Sequence, residues 1–462
     1  MRKYNAIIIG SGQAGTPLAK KLAAAGLKTA LLEQRYIGGT CINDGCTPTK
    51  TMIASARMVY LSRQAKALGV QTSAVSVDLK KIIARKNQIV QSFREGSENN
   101  LERVPGLDIY YGEASFTGEK TIRLTSRDKK EFILKADKIF INAGCKPIVP
   151  GITGIEQIDY LDSTSILDIT ELPEHLLIIG GSYIALEFGQ MFRRFGSKVT
   201  VIEQSSQFLS REDDDVAEEM KKILEDEKLT ILTGAETQSL KRNKNGGITA
   251  LLKVNGQRKS ITCSHVLLAV GRNPQTEKLN LNLAGIETDE QGFIKVNNKL
   301  ETNLKGVYAL GDIKGGPAFT HISYNDHLVI VKNLLENKSI SIKNRMVPYC
   351  MFTDPQLGRI GLTEKEAKAK GLKFKVAKIK MESVARAIET GDTRGLMKAI
   401  VDKKTKLILG AAVLGTEGGE IMTVLQMAMM GKITYTQIKE GIFAHPTYSE
   451  SLNNLFMTLD NK

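Results

Sequence analysis

The chain has no apolar stretch long enough to cross a membrane and no signal-peptide pattern at its start, where Met1-Arg2-Lys3-Tyr4 runs straight into the strand-like Ala6-Ile7-Ile8-Ile9. The expectation is a cytoplasmic protein with no membrane partner. Cysteine is scarce too. Five in 462 residues cannot build a disulfide framework, and no Cys/His cluster has zinc-site spacing, so no metal ligand set is expected. Cys145, Cys263 and Cys350 stand singly, and Cys263 reads as a small buried residue. A dense basic tract is also missing. Lys and Arg number 64 against 50 acids, a formal charge of +14, yet they are dispersed, as in Arg193-Arg194 and Lys403-Lys404-Thr405-Lys406. This argues against a nucleic-acid partner and for solubility and attraction of anionic dinucleotides.

What is present is a repeated pattern in a chain too long for one core. An apolar strand, Ala6-Ile7-Ile8-Ile9, enters Gly10-Ser11-Gly12-Gln13-Ala14-Gly15, a helix-like segment follows through Ala25, and a second strand, Thr29-Ala30-Leu31-Leu32, ends in Glu33. Gly10 allows a tight turn, Gly12 lets the backbone approach a pyrophosphate, and Gly15 lets helix and strand pack closely. Glu33 stands where an acid binds ribose hydroxyls. The second copy runs Leu176-Leu177-Ile178-Ile179-Gly180-Gly181-Ser182-Tyr183-Ile184-Ala185-Leu186-Glu187, with its acid at Glu203. Ser182 and Ala185 replace its second and third glycines. Two such units imply two bound dinucleotides.

Two cysteines follow the first unit at once, in Gly38-Gly39-Thr40-Cys41-Ile42-Asn43-Asp44-Gly45-Cys46-Thr47-Pro48-Thr49-Lys50. In an ideal helix residues i and i+5 have Cα atoms roughly 8–9 Å apart, beyond the reach of a disulfide. The pair is therefore expected on a distorted or starting helical turn, which Gly45 and Pro48 permit. A dithiol beside a dinucleotide fold suits two-electron transfer from a flavin, with FAD in the first unit and a nicotinamide nucleotide in the second.

The run around Cys41 and Cys46 closely resembles the redox signature of the class I pyridine nucleotide-disulfide oxidoreductases, which include dihydrolipoamide dehydrogenase, glutathione reductase and mercuric reductase. The resemblance covers essentially the whole chain. It implies an α/β fold of two Rossmann-like domains plus a C-terminal α+β dimerisation domain. The divisions would be 1–148 and 273–343 for FAD, 149–272 for NAD(P), and 344–462 for dimerisation. The crossover segments Ile141-Asn142-Ala143-Gly144-Cys145-Lys146-Pro147 and Val270-Gly271-Arg272-Asn273-Pro274, and the Gly311-Asp312 pair, fit that order.

Through the same resemblance, Cys46 is the thiol nearest the flavin and Cys41 the thiol that attacks substrate. Lys50 pairs with Glu187 beside the flavin, and Tyr183 is an aromatic gate, with simple packing as the competing account. His445 and Glu450, in Phe443-Ala444-His445-Pro446-Thr447-Tyr448-Ser449-Glu450, form an acid/base dyad that reaches the partner subunit's dithiol. The implied cofactor contacts are Gly10, Gly12, Ala14, Gly15, Glu33, Gly39, Thr40, Lys50, Ala114, Ala143, Gly144, Gly180, Tyr183, Glu187, Glu203, Gly271, Gly311, Asp312, Phe319 and Thr320.

Glu203 would accept ribose hydroxyls and repel a 2′-phosphate, and Gln204-Ser205-Ser206 supplies no cation, so NADH is expected. Ala185 is a contrary sign that leaves NADPH open. The run Phe319-Thr320-His321-Ile322-Ser323-Tyr324-Asn325-Asp326 departs from the lipoamide enzymes' Ala-His-Lys-Ala, and Leu455 to Lys462 lacks a mercuric reductase's cysteine pair. The combination looks most like the mercuric-reductase-like, reactive-chlorine-resistance branch. It implies NADH-dependent reduction of a metal ion, an oxidant or a disulfide, with lipoamide dehydrogenase and mercury(II) reductase as alternatives.

Overall fold

The computed structural model describes residues 1–244 and 246–460. Two compact units emerge. One comprises Met1–Thr51, Ile83–Ile148 and Gly271–Arg345; the other comprises Met52–Ile82, Val149–Val270 and Met346–Lys462, of which Asn245, Asn461 and Lys462 lie outside the described residues.

In the first unit the opening apolar run becomes β1 (Arg2–Ile9), which lies parallel to β2 (Thr29–Glu33) on one side. β2 carries β3 (Leu107–Gly118) in parallel, and an antiparallel excursion through β4 (Thr121–Ser126) returns along β5 (Glu131–Ile141). β5 lies parallel to β1 and to the short strand Val307–Ala309. Continuous burial of Ala6 to Ile9 and of Thr29 to Glu33 is what a sheet covered on both faces requires. Alternate residues divide between two cores: Ile7, Ile9, Leu32 and Ile139 enter one, and Ile8, Leu31 and Phe140 the other. The helix α1 (Gly15–Ala24) buries Leu18, Ala19 and Leu22 against the second. The two crossover segments meet as an antiparallel pair, Cys145–Pro147 with Arg272–Pro274.

The second unit repeats the strand–turn–helix theme. Its parallel sheet has the order His265–Leu268, His175–Ile179, Lys198–Ile202, Thr230–Leu232, with an antiparallel three-stranded sheet, Ala235–Arg242, Ile248–Val254 and Gln257–Cys263, as an insertion. From Tyr349 a five-stranded antiparallel sheet forms, and the Met-rich helix Gly418–Met430 buries Ile421, Met422 and Leu425 on it. Arg194, 4% exposed, is enclosed by Glu227 at 2.7 Å and Asp354 at 2.6 Å, so its burial is compensated by two carboxylates.

Three of the five histidines hold depressed pKa values because they are buried. His175 bridges the Thr262 carbonyl and Thr200 Oγ1, each at 3.0 Å. The folded state takes up protons later than the unfolded chain, whose histidines titrate near 6.5. Stability is therefore retained above about pH 6.5 and lost as pH falls below it. Thermal melting across pH 5–7.5 should show that slope, and His175→Gln, which takes up no proton, should flatten part of it. A melting curve unchanged from pH 7.5 to 5 contradicts this.

Candidate active site

The thiol pair sits on a broken helix. α2 (Gly39–Asn43) carries Cys41, the chain leaves helical geometry at Asp44, and α3 (Cys46–Gln64) begins at the second cysteine. The interruption brings the sulfurs together, as spacing required: the Cys41 thiol is hydrogen-bonded to Cys46. Cys41 is half-buried and Cys46 exposed. Cys46 Sγ lies 3.3 Å from Thr320 Oγ1, and Thr320 opens the 15-residue helix Thr320–Leu334. Two helix N-termini thus converge on one sulfur, and their positive ends favour a thiolate there. The Cys41 pKa is raised, chiefly by the proton it shares with Cys46 and by burial, and opposed by Thr320 and Lys50. Two touching thiols do not both ionise, so Cys41 keeps the proton. Thr320→Val removes a donor to the anion, and alkylation of Cys46 at neutral pH should slow about tenfold. An unchanged rate would remove Thr320 from that role.

The glycine cradle beside the thiols leaves backbone bare where a ligand phosphate would approach. A Cβ on Gly10 would meet the Asn142 carbonyl at 2.3 Å, and one on Gly39 would meet Gly12 Cα at 2.7 Å. Ala14 precedes α1 without a side-chain cap, so the helix end is open to an anion. Glu33 closes the turn: its Oε2 accepts Ser11 N–H at 3.0 Å and Ser11 Oγ–H at 2.6 Å, and its Oε1 accepts Arg35 N–H at 2.7 Å. Ala114 is buried on β3, and Gln275 links Ala143 and Gly144, donating to their carbonyls at 2.7 and 2.9 Å. Gly271, at φ +130°, accepts Ile148 N–H at 3.1 Å. Asp312 follows Gly311, and burial pushes its pKa up against the pull of Arg272 and Lys314. Phe319 precedes the Thr320 helix in extended geometry and stacks on His321 with centroids 5.4 Å apart. These residues fit FAD, with a phosphate cradle at Gly10–Gly15 and Gly39 and an acid at Glu33 for the ribose.

Two residues passed over in sequence hold this frame. Asn142 accepts Gly15 N–H at 2.9 Å and donates to the Leu310 carbonyl at 2.9 Å. Asp326, fully buried, accepts Gly311 N–H at 2.8 Å and Arg345 at 2.6 Å. A polar Asn directly after the apolar run Ile139-Phe140-Ile141 was the signal available for the first; an acid inside a helix, flanked by Ile322 and Val329, was the signal for the second. Cys145 and Cys263 are buried, and burial pushes each thiol up to about 12, which makes them inert.

In the second unit Gly180, at φ +108°, turns the chain into α5 (Tyr183–Phe195), with Tyr183 half-buried at its first position. Glu203 repeats the role of Glu33: Oε2 accepts Gly181 N–H at 2.9 Å and Oε1 accepts Ser205 N–H at 2.7 Å. Glu187, 3% exposed, accepts Phe352 N–H at 2.9 Å. His445 Nδ1 lies 2.9–3.0 Å from both Glu450 oxygens, and its ring is largely exposed. The carboxylate fixes the Nδ1–H tautomer and leaves Nε2 as the basic nitrogen. Among the described residues, no group of three or more His, Cys, Asp or Glu could hold a metal ion, and no helix is long and apolar enough to cross a membrane.

The family model described as pyridine nucleotide-disulphide oxidoreductase matches residues 4–326, and the dimerisation domain of that family matches 347–456. The chain is 38% identical to a probable pyridine nucleotide-disulfide oxidoreductase RclA of Escherichia coli, over 99% of both chains. It is 33% identical to a mercuric reductase of Staphylococcus aureus, over 99% of this chain and 82% of that one. A dihydrolipoyl dehydrogenase of Thermus scotoductus is 34% identical, over 98% and 96%. Among solved structures, a Cu(II) complex of the HOCl-induced flavoprotein disulfide reductase RclA from Escherichia coli superposes with a TM-score of 0.91, at 37% identity over 99% of each chain. With both family domains in order along the sequence and a thiol pair on a broken helix within the first, the chain belongs to the pyridine nucleotide-disulfide oxidoreductases, as an FAD- and NAD(P)H-dependent flavin disulfide reductase.

Proposed function

We propose that this enzyme takes two electrons from NADH and delivers them through the Cys41–Cys46 pair to an oxidised metal ion, with Cu(II) the first acceptor to test. The observation that carries the reading is the placement of Cys46 at two helix N-termini, beside Thr320, with Cys41 keeping the shared proton. When bound, FAD would supply the two-electron link between the nicotinamide and the disulfide. Gly10, Gly12, Ala14, Gly15, Gly39 and Thr40 would hold its diphosphate, Glu33 its ribose and Asp312 its ribityl end. Lys50 would pair with Glu187 to orient the nicotinamide, and Tyr183 would cover that site until the nucleotide arrives.

Glu203 supports NADH over NADPH, since its carboxylate stands where a 2′-phosphate would be repelled. Cu(II) is favoured because the similar RclA of Escherichia coli has been solved as a Cu(II) complex. One NADH would reduce two Cu(II) to Cu(I), and the dithiol would return to the disulfide. The proposed domains are 1–148 and 273–343 for FAD, 149–272 for NAD and 344–462 for the contact between two copies, in a cytoplasmic homodimer. His445 would serve the partner's thiols.

The lipoamide reading draws on the Thermus relative, but Phe319-Thr320-His321 replaces the run that those enzymes carry. Anaerobic NADH titration should give a two-electron-reduced enzyme with long-wavelength absorbance. Turnover should then be compared for Cu(II), Hg(II), lipoamide, oxidised glutathione and quinones. Faster turnover of lipoamide than of any metal ion would replace the proposal.

A further inference from the structure

The turn between the two cysteines is gripped from α4 (Leu79–Glu102). Arg94 on that helix donates its Nε–H to Asn43 Oδ1 at 2.8 Å, and its guanidinium lies 4.0 Å from the centre of the Tyr36 ring. Asn43 transmits the hold: its Nδ2 donates to the carbonyls of Ile37 and Gly39 at 3.0 and 2.9 Å. Arg35 holds the neighbouring Asp44 carboxylate at 2.8 and 3.1 Å. The Asn43 amide is therefore engaged at both ends. It stands two positions after Cys41 and three before Cys46, at the break between α2 and α3.

We infer that Arg94 is a positioning residue for the redox pair, fixing Asn43 and thereby setting the equilibrium between disulfide and dithiol; this rests on the redox role proposed above. In the reduced protein the thiols already touch, so closing the disulfide orders little more of the chain. Without the grip the turn samples more conformations, and closure must remove them. The disulfide then becomes easier to reduce. The donor's direction matters as well as its charge. Arg Nε–H lies in the guanidinium plane, which the Tyr36 face orients, whereas a lysine ammonium has no such fixed donor. Arg94 also lines a cavity of about 510 Å³ with Arg35, Tyr36, Tyr111 and Arg127, so solvent can fill the space left by a shorter side chain.

The test equilibrates FAD-loaded wild type, Arg94→Lys and Arg94→Ala with glutathione, without oxygen, and counts protein thiols after acid quenching. One enzyme disulfide and two glutathione thiols give one enzyme dithiol and one glutathione disulfide, so electrons and protons balance. Both variants should shift the equilibrium toward the dithiol about tenfold, equivalent to about 30 mV for a two-electron couple. Reduction of the flavin by NADH should keep the wild-type rate. An equilibrium in Arg94→Ala within about twofold of wild type, or wild-type behaviour in Arg94→Lys, overturns the assignment. If Arg94→Ala loses FAD, Arg94→Lys and Asn43→Ala carry the same comparison. A wild type whose pair is reduced neither by glutathione nor by NADH overturns the proposed function, and the inference with it.

Discussion

Cys46→Ser is expected to abolish the long-wavelength absorbance of the two-electron-reduced enzyme and to stop turnover with every acceptor. Cys41→Ser is expected to stop turnover but to show the absorbance while its flavin is still oxidised, before NADH is added, and to lose it as NADH reduces the flavin. The two outcomes differ because the sulfurs do. Cys46 stands at the first position of α3 and beside the first residue of the Thr320 helix, so the local field favours its anion. The raised pKa of Cys41 means that, as pH rises, Cys41 is the later of the two to lose its proton, and the absorbance should persist through the alkaline range. Loss of a nucleophile that works as part of a unit lowers turnover by factors on the order of 10⁴–10⁶. Anaerobic NADH titration reads the absorbance and acceptor assays read the turnover. Retention of the band in Cys46→Ser would exchange the two roles.

The second large effect falls on His445. His445→Gln should lower turnover about 10²–10⁴-fold at neutral pH, the range for loss of a positioned general acid/base, while NADH still reduces the flavin at the wild-type rate. The ring is exposed and is held through Nδ1, whose bonds to Glu450 at 2.9 and 3.0 Å set both its tautomer and its direction. A reduced dithiol must release protons as its electrons leave, and Nε2 is the base the dyad presents. Glu450→Gln keeps the imidazole but loses the carboxylate that fixes its tautomer and direction, so a smaller loss is expected. Full turnover in His445→Gln would leave proton removal to solvent.

The parts of this molecule that could be read from sequence are those in which the chemistry is local. The strand Ala6 to Ile9, the turn at Gly10 and the helix from Gly15 are neighbours along the chain, and their pattern is complete within a few residues, although the Asn142 carbonyl that excludes a side chain at Gly10 lies far along the chain. The break between Cys41 and Cys46 followed from the reach of a disulfide, and the chain does leave helical geometry at Asp44. What sequence did not disclose lies in long closures. Asn142 acts on Gly15, 127 positions earlier, and on Leu310, 168 later. Thr320 meets Cys46 across 274 positions. Arg94 reaches Asn43 across 51. In sequence each looks like an ordinary helix or strand-end residue, because its partner is chosen by how the sheet folds.

Glu203 engages both oxygens with backbone donors, just as Glu33 does in the other repeat. The carboxylate proposed to select the nucleotide is thus also a keystone of its own turn. Redesign toward the phosphorylated dinucleotide cannot therefore be a single exchange of acid for arginine. A substitution at Glu203 releases Gly181 and Ser205 together, so it must come with a new acceptor for those amides, and any change made there for the sake of the nucleotide is also a change to the turn.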